Sequence, residues 1–426
     1  MTVRDDGAAA AVLVQKYGGS SLATTEQVRA AARRIGAAHR AGGKVAVVVS
    51  AQGDTTDELL RLAAEVNPSP AGRELDQLMA TGETASASLM ALALQAIGVP
   101  AIALSGAQNG ILATGRHGAG IIVAVDTERA NRLMRDGVVV VVAGFQGVDA
   151  EGDVITLGRG GSDTSAVAIA AETGAGHCEI YTDVDGVYTA DPRIVASARV
   201  MPVVDVDVMA EMSFAGAKVM HSRAVELAAM YRVEIHVGHS AAATPGTRIQ
   251  IKDGEKMLEA KPAVMAVVHD TNVVRLVMRT ARRDGELMPT LFRLLAQQAI
   301  PADMTTISER DTNEFSIGIA VRRIDAEPAR AVLSELANGC GGRVEVDDGI
   351  GKLSIVGKGL LNRPDCIARM LSSLTRAGIP TTSVSTSQLR ISTTVPAQEV
   401  TRGVEVLHTA FGLDSQNPAL EPAHKV

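Results

Sequence analysis

Between residues 11 and 250, short runs of consecutive apolar, β-branched residues alternate with longer stretches rich in Ala and Leu. A strand that is apolar at every position has no side that can face water. Such strands, spaced by helices, specify a parallel sheet covered on both faces. "AVLVQKYGGSS" is a strand running into a glycine turn, followed by the helix "TTEQVRAAARRIGAAHR" with Thr25 near its start. "KVAVVVSAQGDTTDELLRLAAEV" repeats the pattern, and "GVVVVVAGFQGV" and "HCEIYTDVDGVYTADPR" add further buried strands ending in polar turns. Ligands of such sheets gather at the carboxyl ends of the strands, where all of these turns fall.

A chain of 426 residues is too long for one core, so two or three domains are expected. Aromatic residues make up 2% and Trp is absent, so the cores must be built from Ala, Val, Leu, Ile and Met. The net charge of −7 argues against a general nucleic-acid binder. Cys178, Cys340 and Cys366 are far apart and form no C-x-x-C pair, which excludes a disulfide framework and a structural zinc site of that kind. The first fifteen residues lack the pattern of a signal peptide, and no uninterrupted apolar run is long enough to span a membrane. A reduced, cytoplasmic location is the expectation.

The style changes near residue 250, where "KDGEKMLEAKP" is charged and broken by proline, as in a linker. Beyond it, "VVRLVMRTARRDGELMPTLFRLLAQQAIPADMTTI" and "GKLSIVGKGLLNRPDCIARMLSSLTRAGIPTTSVST" share strand, loop, helix, Ile-Pro and strand. Pro301 and Pro380 are equivalent points, and "FSIGIAV" and "LRISTTV" are the next strands. Two βαββαβ copies fit this spacing. The expected divisions are a disordered 1–10, an α/β domain over 11–250, a linker at 251–263, repeats at 264–345 and 346–414, and a disordered 415–426.

The polar turns carry the chemistry. Lys16 stands before Gly18, Gly19, Ser20 and Ser21, small residues that expose backbone N–H groups to phosphate oxygens, although this is not a Walker A sequence. "LGRGGSDTSA" sets Arg159 among Gly158, Gly160 and Gly161, and Ser162, Asp163 and Thr164 are helix-capping types. A helix start beside a guanidinium is an anion site. Thr55, Thr56 and Asp57 stand at another helix start, and Glu83 among small residues suits a substrate ammonium. The D-x-D-G fragment at Asp183 and Asp185 lacks the remaining ligands of a calcium loop. His221, His236 and His239 are read as packing histidines rather than a metal cluster.

Taken in order and at their spacing, "KYGGSS", "SAQGDTTDEL", "TGE", "AGFQGV", "LGRGGSDTSA", "YTDVDGVYTADPR" and "GAKV" resemble the aspartate kinases of the amino-acid kinase fold. The tail resembles the paired ferredoxin-like ACT domains that these kinases carry. The resemblance implies ATP-dependent phosphorylation of the side-chain carboxylate of L-aspartate to 4-phospho-L-aspartate, the first step toward lysine, threonine and methionine. It implies that Lys16, Arg159 and Asp163 are catalytic, with Asp163 orienting Lys16. Ser50, Thr56, Glu83, Arg159, Gly160, Gly161 and Ser162 would hold the amino acid, with Arg159 on its α-carboxylate. Lys16, Gly18, Gly19, Ser20, Thr182, Asp183, Tyr188, Arg193 and Lys218 would frame ATP, and Mg²⁺ would be held mainly by the ATP phosphates.

For the ACT pair, the resemblance implies lysine or threonine effectors near Asp284, Gly285, Pro364, Asp365, Ser387 and Gln388. It implies at least a homodimer through ACT pairing, and in some relatives a shorter subunit that here could begin at Met257. The effector loops depart from the family pattern, with Asp284 where proline is expected and Asp365 in place of glycine, so weakened feedback is expected. Thr84-Ala85 after "TGE" also differs from the Arg-Ile of many members. The alternatives are a same-fold kinase for an aspartate analogue and a catalytically silent amino-acid sensor.

Overall fold

The computed structural model describes residues 12–242, 246–251, 264–281, 285–310 and 314–414. The stretches 1–10 and 415–426, the linker beyond residue 251, Met257 and Asp284 lie outside them. The chain divides into two units, one of residues 1–187, 200–214 and 218–256, the other of residues 188–199, 215–217 and 257–426.

The first unit is built on an eight-stranded sheet. Its order is Val203–Asp205, Thr247–Gln250, Glu234–His239, His177–Thr182, Val12–Tyr17, Lys44–Val49, Val139–Ala143 and Ala101–Leu104. Every pairing is parallel except that of Glu234–His239 with Thr247–Gln250. Val12–Tyr17 is therefore interior, and Lys16 lies level with Val48 and Ile180.

Strand alternation sends Tyr17 and Lys16 to opposite faces. Tyr17, Val45, Val47, Val49 and Val141 pack against Ala31, Ile35, Met90 and Leu94 of the helices Thr25–Arg40 and Arg73–Gln95. The first of these helices is closed by a capping box, with Gln27 N donating to Thr24 Oγ1 and Thr24 N donating to Gln27 Oε1. The cap is thus Thr24, one residue before the expected start. On the other face, Gly161–Thr173 is buried along its first ten residues, Gly161 to Ala170. An apolar helix of this kind can only be internal. A smaller sheet, ordered Ile121–Val125, Ile111–Thr114, Gln146–Val148 and Val154–Thr156, leads into that helix.

The second unit contains two four-stranded sheets. Residues 273–347 form one complete βαββαβ copy, with the sheet order Asp303–Arg310, Glu314–Arg322, Val273–Thr280, Arg343–Asp347. The second copy runs from Ile350 and, among the described residues, has no fourth strand after its last helix, Val400–Ala410. That place is taken by Val264–Asp270, antiparallel to Ile350–Gly357. The sheets therefore do not divide at 345/346: the first copy is inserted into the second. Val264 and Val267 supply apolar faces that the core of Leu353, Ile355, Met370, Leu374 and Val404 requires. Ala190 and Val195, from the segment 188–199, join the same core.

Candidate functional site

Lys16 stands at the carboxyl end of an interior strand and is 9% exposed. An ammonium there needs a counter-charge, and its Nζ lies 2.6 Å from Asp163 Oδ1 in the first turn of Gly161–Thr173. The two form an ion pair with both side chains close to fully buried. Removing either partner would strand a buried charge.

The backbone around this pair is drawn close. Gly18 N donates to Tyr181 O at 3.1 Å, and Gly53 N donates to Gly19 O at 3.0 Å. A Cβ on Gly19 would stand 2.6 Å from Ala51 O, so the turns after the first two strands meet backbone to backbone. Ser50 N donates to Tyr17 O, Ser20 is exposed, and Thr56 is half-buried in the first turn of Thr55–Val66.

Beside these turns Glu83 is 3% exposed in the helix Arg73–Gln95. Its Oε1 accepts from Ala51 N at 3.1 Å, while its Oε2 has no partner. Burial pushes its carboxyl up to about 7, against the backbone hydrogen bonds that lower it, the one from Ala51 first. A half-satisfied buried carboxylate is a receptor waiting for a donor.

The turn Gly158–Gly160 carries Arg159, exposed and without a hydrogen bond or ion pair to another described residue. The helix after it starts at Gly161 with Gly160 as its cap and no side-chain cap bond. Ser162, Asp163 and Thr164 are therefore first-turn residues rather than caps. Glycine is required at 160, where φ is +70° and a Cβ would lie 2.2 Å from His221 Cβ. Thr182 Oγ1 donates to Asp183 Oδ1 at 3.0 Å, and Lys218 is exposed.

The structure brings Lys16, Gly18, Gly19, Ser50 and Glu83 together through the contacts above. Tyr188 and Arg193 belong to the segment assigned to the other unit, where Arg193 forms a two-pronged contact with Asp191. Sequence reasoning missed Asp76, 2% exposed on the same helix as Glu83 and seven residues before it. It also missed Arg223, which donates to Leu157 O and Gly120 O. The two-turn spacing of Asp76 and Glu83 on one helical face was the available signal.

Among the described residues, the histidine group that forms is His177, Glu179 and His236 rather than His221, His236 and His239. The His177 and His236 rings stack with centroids 4.5 Å apart and an interplanar angle of 21°. Lone pairs in two nearly parallel ring planes do not converge on one ion, and Glu179 Oε2 already accepts from Gln15 and Tyr181.

In the second unit, Asp365 is in the first turn of Pro364–Arg376 and is gripped by Arg363 through two bonds of 2.9 Å. That guanidinium holds the Asp365 carboxyl below its usual range. Gln388 O accepts from Leu360 N, and Ser387 Oγ accepts from Arg390 N, which brings the loops around 360–365 and 387–388 together. Gly285 has open space around it. No helix among the described residues is long and apolar enough to cross a membrane.

Residues 11–239 match the model of the amino acid kinase family, and residues 353–411 match that of an ACT domain. The aspartokinase of Mycolicibacterium smegmatis is 41% identical over 415 residues, covering 96% of this chain and 98% of that one. The crystal structure of aspartate kinase from Synechocystis is 38% identical, with a TM-score of 0.53 over 96% of this chain and 71% of that chain. E. coli aspartokinase III in complex with aspartate and ADP (R-state) gives a TM-score of 0.80 at 22% identity, over 94% of this chain and 100% of that chain, a likeness of fold.

Two outcomes follow from the site's packing. Gly160→Ala is expected to cost roughly 2 kcal/mol or more in chemical denaturation, from positive-φ strain plus the clash with His221. Gly152→Ala, with φ of +87° and open space around it, should show the strain alone. Glu83 has a folded-state pKa raised from 4.5 to about 7, so the native state holds the extra proton. Its contribution is fully present below the unfolded value and is lost as pH rises through about 7. Glu83→Gln should therefore raise Tm relative to the parent at pH 8 and lose that advantage near pH 4, by scanning calorimetry.

Proposed function

The chain belongs to the aspartokinase family, and we propose on that footing that it transfers the γ-phosphoryl group of ATP to the side-chain carboxylate of L-aspartate. The products are 4-phospho-L-aspartate and ADP. The observation that carries the reading is Lys16, an almost buried cation aimed from an interior strand at a glycine turn and a helix start. That is the equipment for bringing two anions together.

In this reading Arg159 forks onto the α-carboxylate of aspartate and Glu83 Oε2 accepts from its ammonium. Ser50, Thr56, Gly160, Gly161 and Ser162 shape the space around it. The β-carboxylate, already ionised, attacks the γ-phosphorus in line and needs no general base. Lys16 offsets the charge that builds on the transferring oxygens, and Asp163 holds Lys16 at its station. Gly19 and Ser20 offer backbone N–H groups to phosphate, Gly18, whose own N–H is given to Tyr181 O, keeps the turn small enough for the approach, and Thr182, Asp183 and Lys218 line the nucleotide side.

Tyr188 and Arg193 remain candidates for the nucleotide from the sequence resemblance alone. Asp163 is committed to Lys16, and no cluster of carboxylates stands at this end among the described residues. The donors present therefore fit a Mg²⁺ ion carried by the ATP phosphates, where it would neutralise phosphate charge. The ACT copies are read as effector-binding and as the pairing surface of a homo-oligomer.

With hydroxylamine and MgATP, aspartate should yield the hydroxamate and N-acetylated acids should not. Lys16→Ala should lower kcat by at least roughly 10²-fold, the scale of one preorganised donor. Folding should be checked by circular dichroism because Asp163 loses its partner. Arg159→Lys should mainly raise KM for aspartate, since an ammonium cannot reproduce a two-pronged clamp. Unchanged turnover in Lys16→Ala, or a preference for acetylglutamate, would overturn the reading.

Lysine and threonine should inhibit weakly. Arg363 already covers the charge of Asp365, so the obstruction at the second copy rests on side-chain bulk where a small residue is expected. Strong concerted inhibition at submillimolar effector in a coupled ADP-release assay would refute this.

A further inference from the structure

The helix Arg73–Gln95 presents two buried carboxylates, and they are treated in opposite ways. Glu83 keeps one oxygen without a partner. Asp76 is saturated: Oδ2 accepts from Thr156 N at 2.8 Å, from Gly118 N at 3.0 Å and faces His117 Nδ1 at 3.0 Å, while Oδ1 accepts from Thr156 Oγ1 at 2.8 Å. A carboxylate has only acceptors, so contact with His117 Nδ1 fixes the proton on that nitrogen. With donors on both oxygens and only 2% of the residue exposed, Asp76 is closed to a ligand.

The residues it holds are those from which the Arg159 turn hangs. Every backbone polar group of Thr156 and Leu157 is tied. Thr156 N goes to Asp76, Thr156 O accepts from Gly120 N, Leu157 N donates to Phe145 O, and Leu157 O accepts from Arg223. The loop that Asp76 grips through Gly118 also lies against the turn, because a Cβ on Gly158 would stand 2.9 Å from Gly118 O. One side chain thus sets both the strand end before Gly158 and the loop beside it.

We propose that Asp76 is a positioning residue for the acceptor acid, fixing the Gly158–Ser162 turn against the helix that carries Glu83. The two groups assigned to the α-carboxylate and the ammonium, Arg159 and Glu83, are then held in one frame. The inference rests on the reading of Arg159 and Glu83 as the acid's receptors. Asp76 itself touches no substrate. It acts through the spacing of those receptors, on which a two-point clamp depends.

The test is full steady-state kinetics of Asp76→Asn and Thr156→Val, with KM measured separately for the acid and for ATP. The amide of Asp76→Asn turns a donor toward donors, so KM for aspartate should rise about tenfold or more, the scale of one or two lost buried hydrogen bonds. Thr156→Val removes only the bond to Oδ1 and keeps the other contacts and the fold; its KM for aspartate should rise about threefold, less than one full neutral hydrogen bond. KM for ATP should stay within about twofold in both, because the nucleotide side does not hang from Thr156. Should Asp76→Asn fail to fold, Thr156→Val decides alone. An aspartate KM that moves no more than the ATP KM in the folded variants overturns the inference. If the parent prefers another acid, the substrate assignment fails separately, and the same comparison made with that acid still decides the role of Asp76.

Discussion

A lysine that is 9% exposed keeps its charge in place only against a carboxylate, and the first unit is arranged around that requirement at Lys16. The partner, Asp163, comes from the first turn of a helix buried through its first ten residues. Pairing the two therefore fixes how far the helix reaches along the interior strand. Glycines at 160 and 161 let the chain enter that helix where a side chain would collide with His221, Phe145 or Leu157. A cation so placed cannot drift toward solvent, and its field is spent on whatever occupies the turns at the strand ends. The pair is weak evidence for stability, since two desolvated charges rarely gain much net energy. Its value lies in holding a charge ready.

Glu83 shows the same trade from the opposite side. Its unpartnered Oε2 and its pKa near 7 are costs that the native state carries in the absence of a donor. Asp76, two turns earlier, carries none, because four donors surround it. The contrast separates a carboxylate that receives a ligand from one that builds the frame. It also explains why neither could be replaced by an apolar residue without loss: the first would lose recognition, the second would strand buried N–H groups.

Much of this was legible in the sequence because the relevant signals are local. Strands apolar at every position announced the covered parallel sheet, and the glycine turns marked the strand ends where Lys16 and Arg159 fall. The fold class, an amino-acid kinase unit followed by ferredoxin-like ACT copies, was readable from the motifs and the internal repeat. The chain order of the last sheet was not. Val264–Asp270 is an ordinary apolar strand, and nothing in it distinguishes pairing with the adjacent copy from pairing with Ile350–Gly357. That choice is made by long-range burial against Leu353 and Ile355, which leaves no local mark. Asp76 was overlooked for a similar reason: its donors come from positions 117, 118 and 156, far along the chain.

The inserted topology of the second unit has a mechanical consequence. Because the first copy leaves and re-enters the second between Asp270 and Ile350, both ends of the insert are strands that meet in one sheet. A side-chain tie reinforces the connection. Asp303 of the first copy lies 3.0 Å from Lys352 Nζ and 3.6 Å from Arg390 of the second, and both cations are buried. Burial alone would push the Asp303 carboxyl up, but the two cations outweigh it and hold it below its usual range. Separating the copies would remove the Asp303 carboxylate from two buried cations. The two copies are therefore tied to one another by covalent strands and a buried ionic contact. Two ordinary ACT copies joined by a linker would have neither.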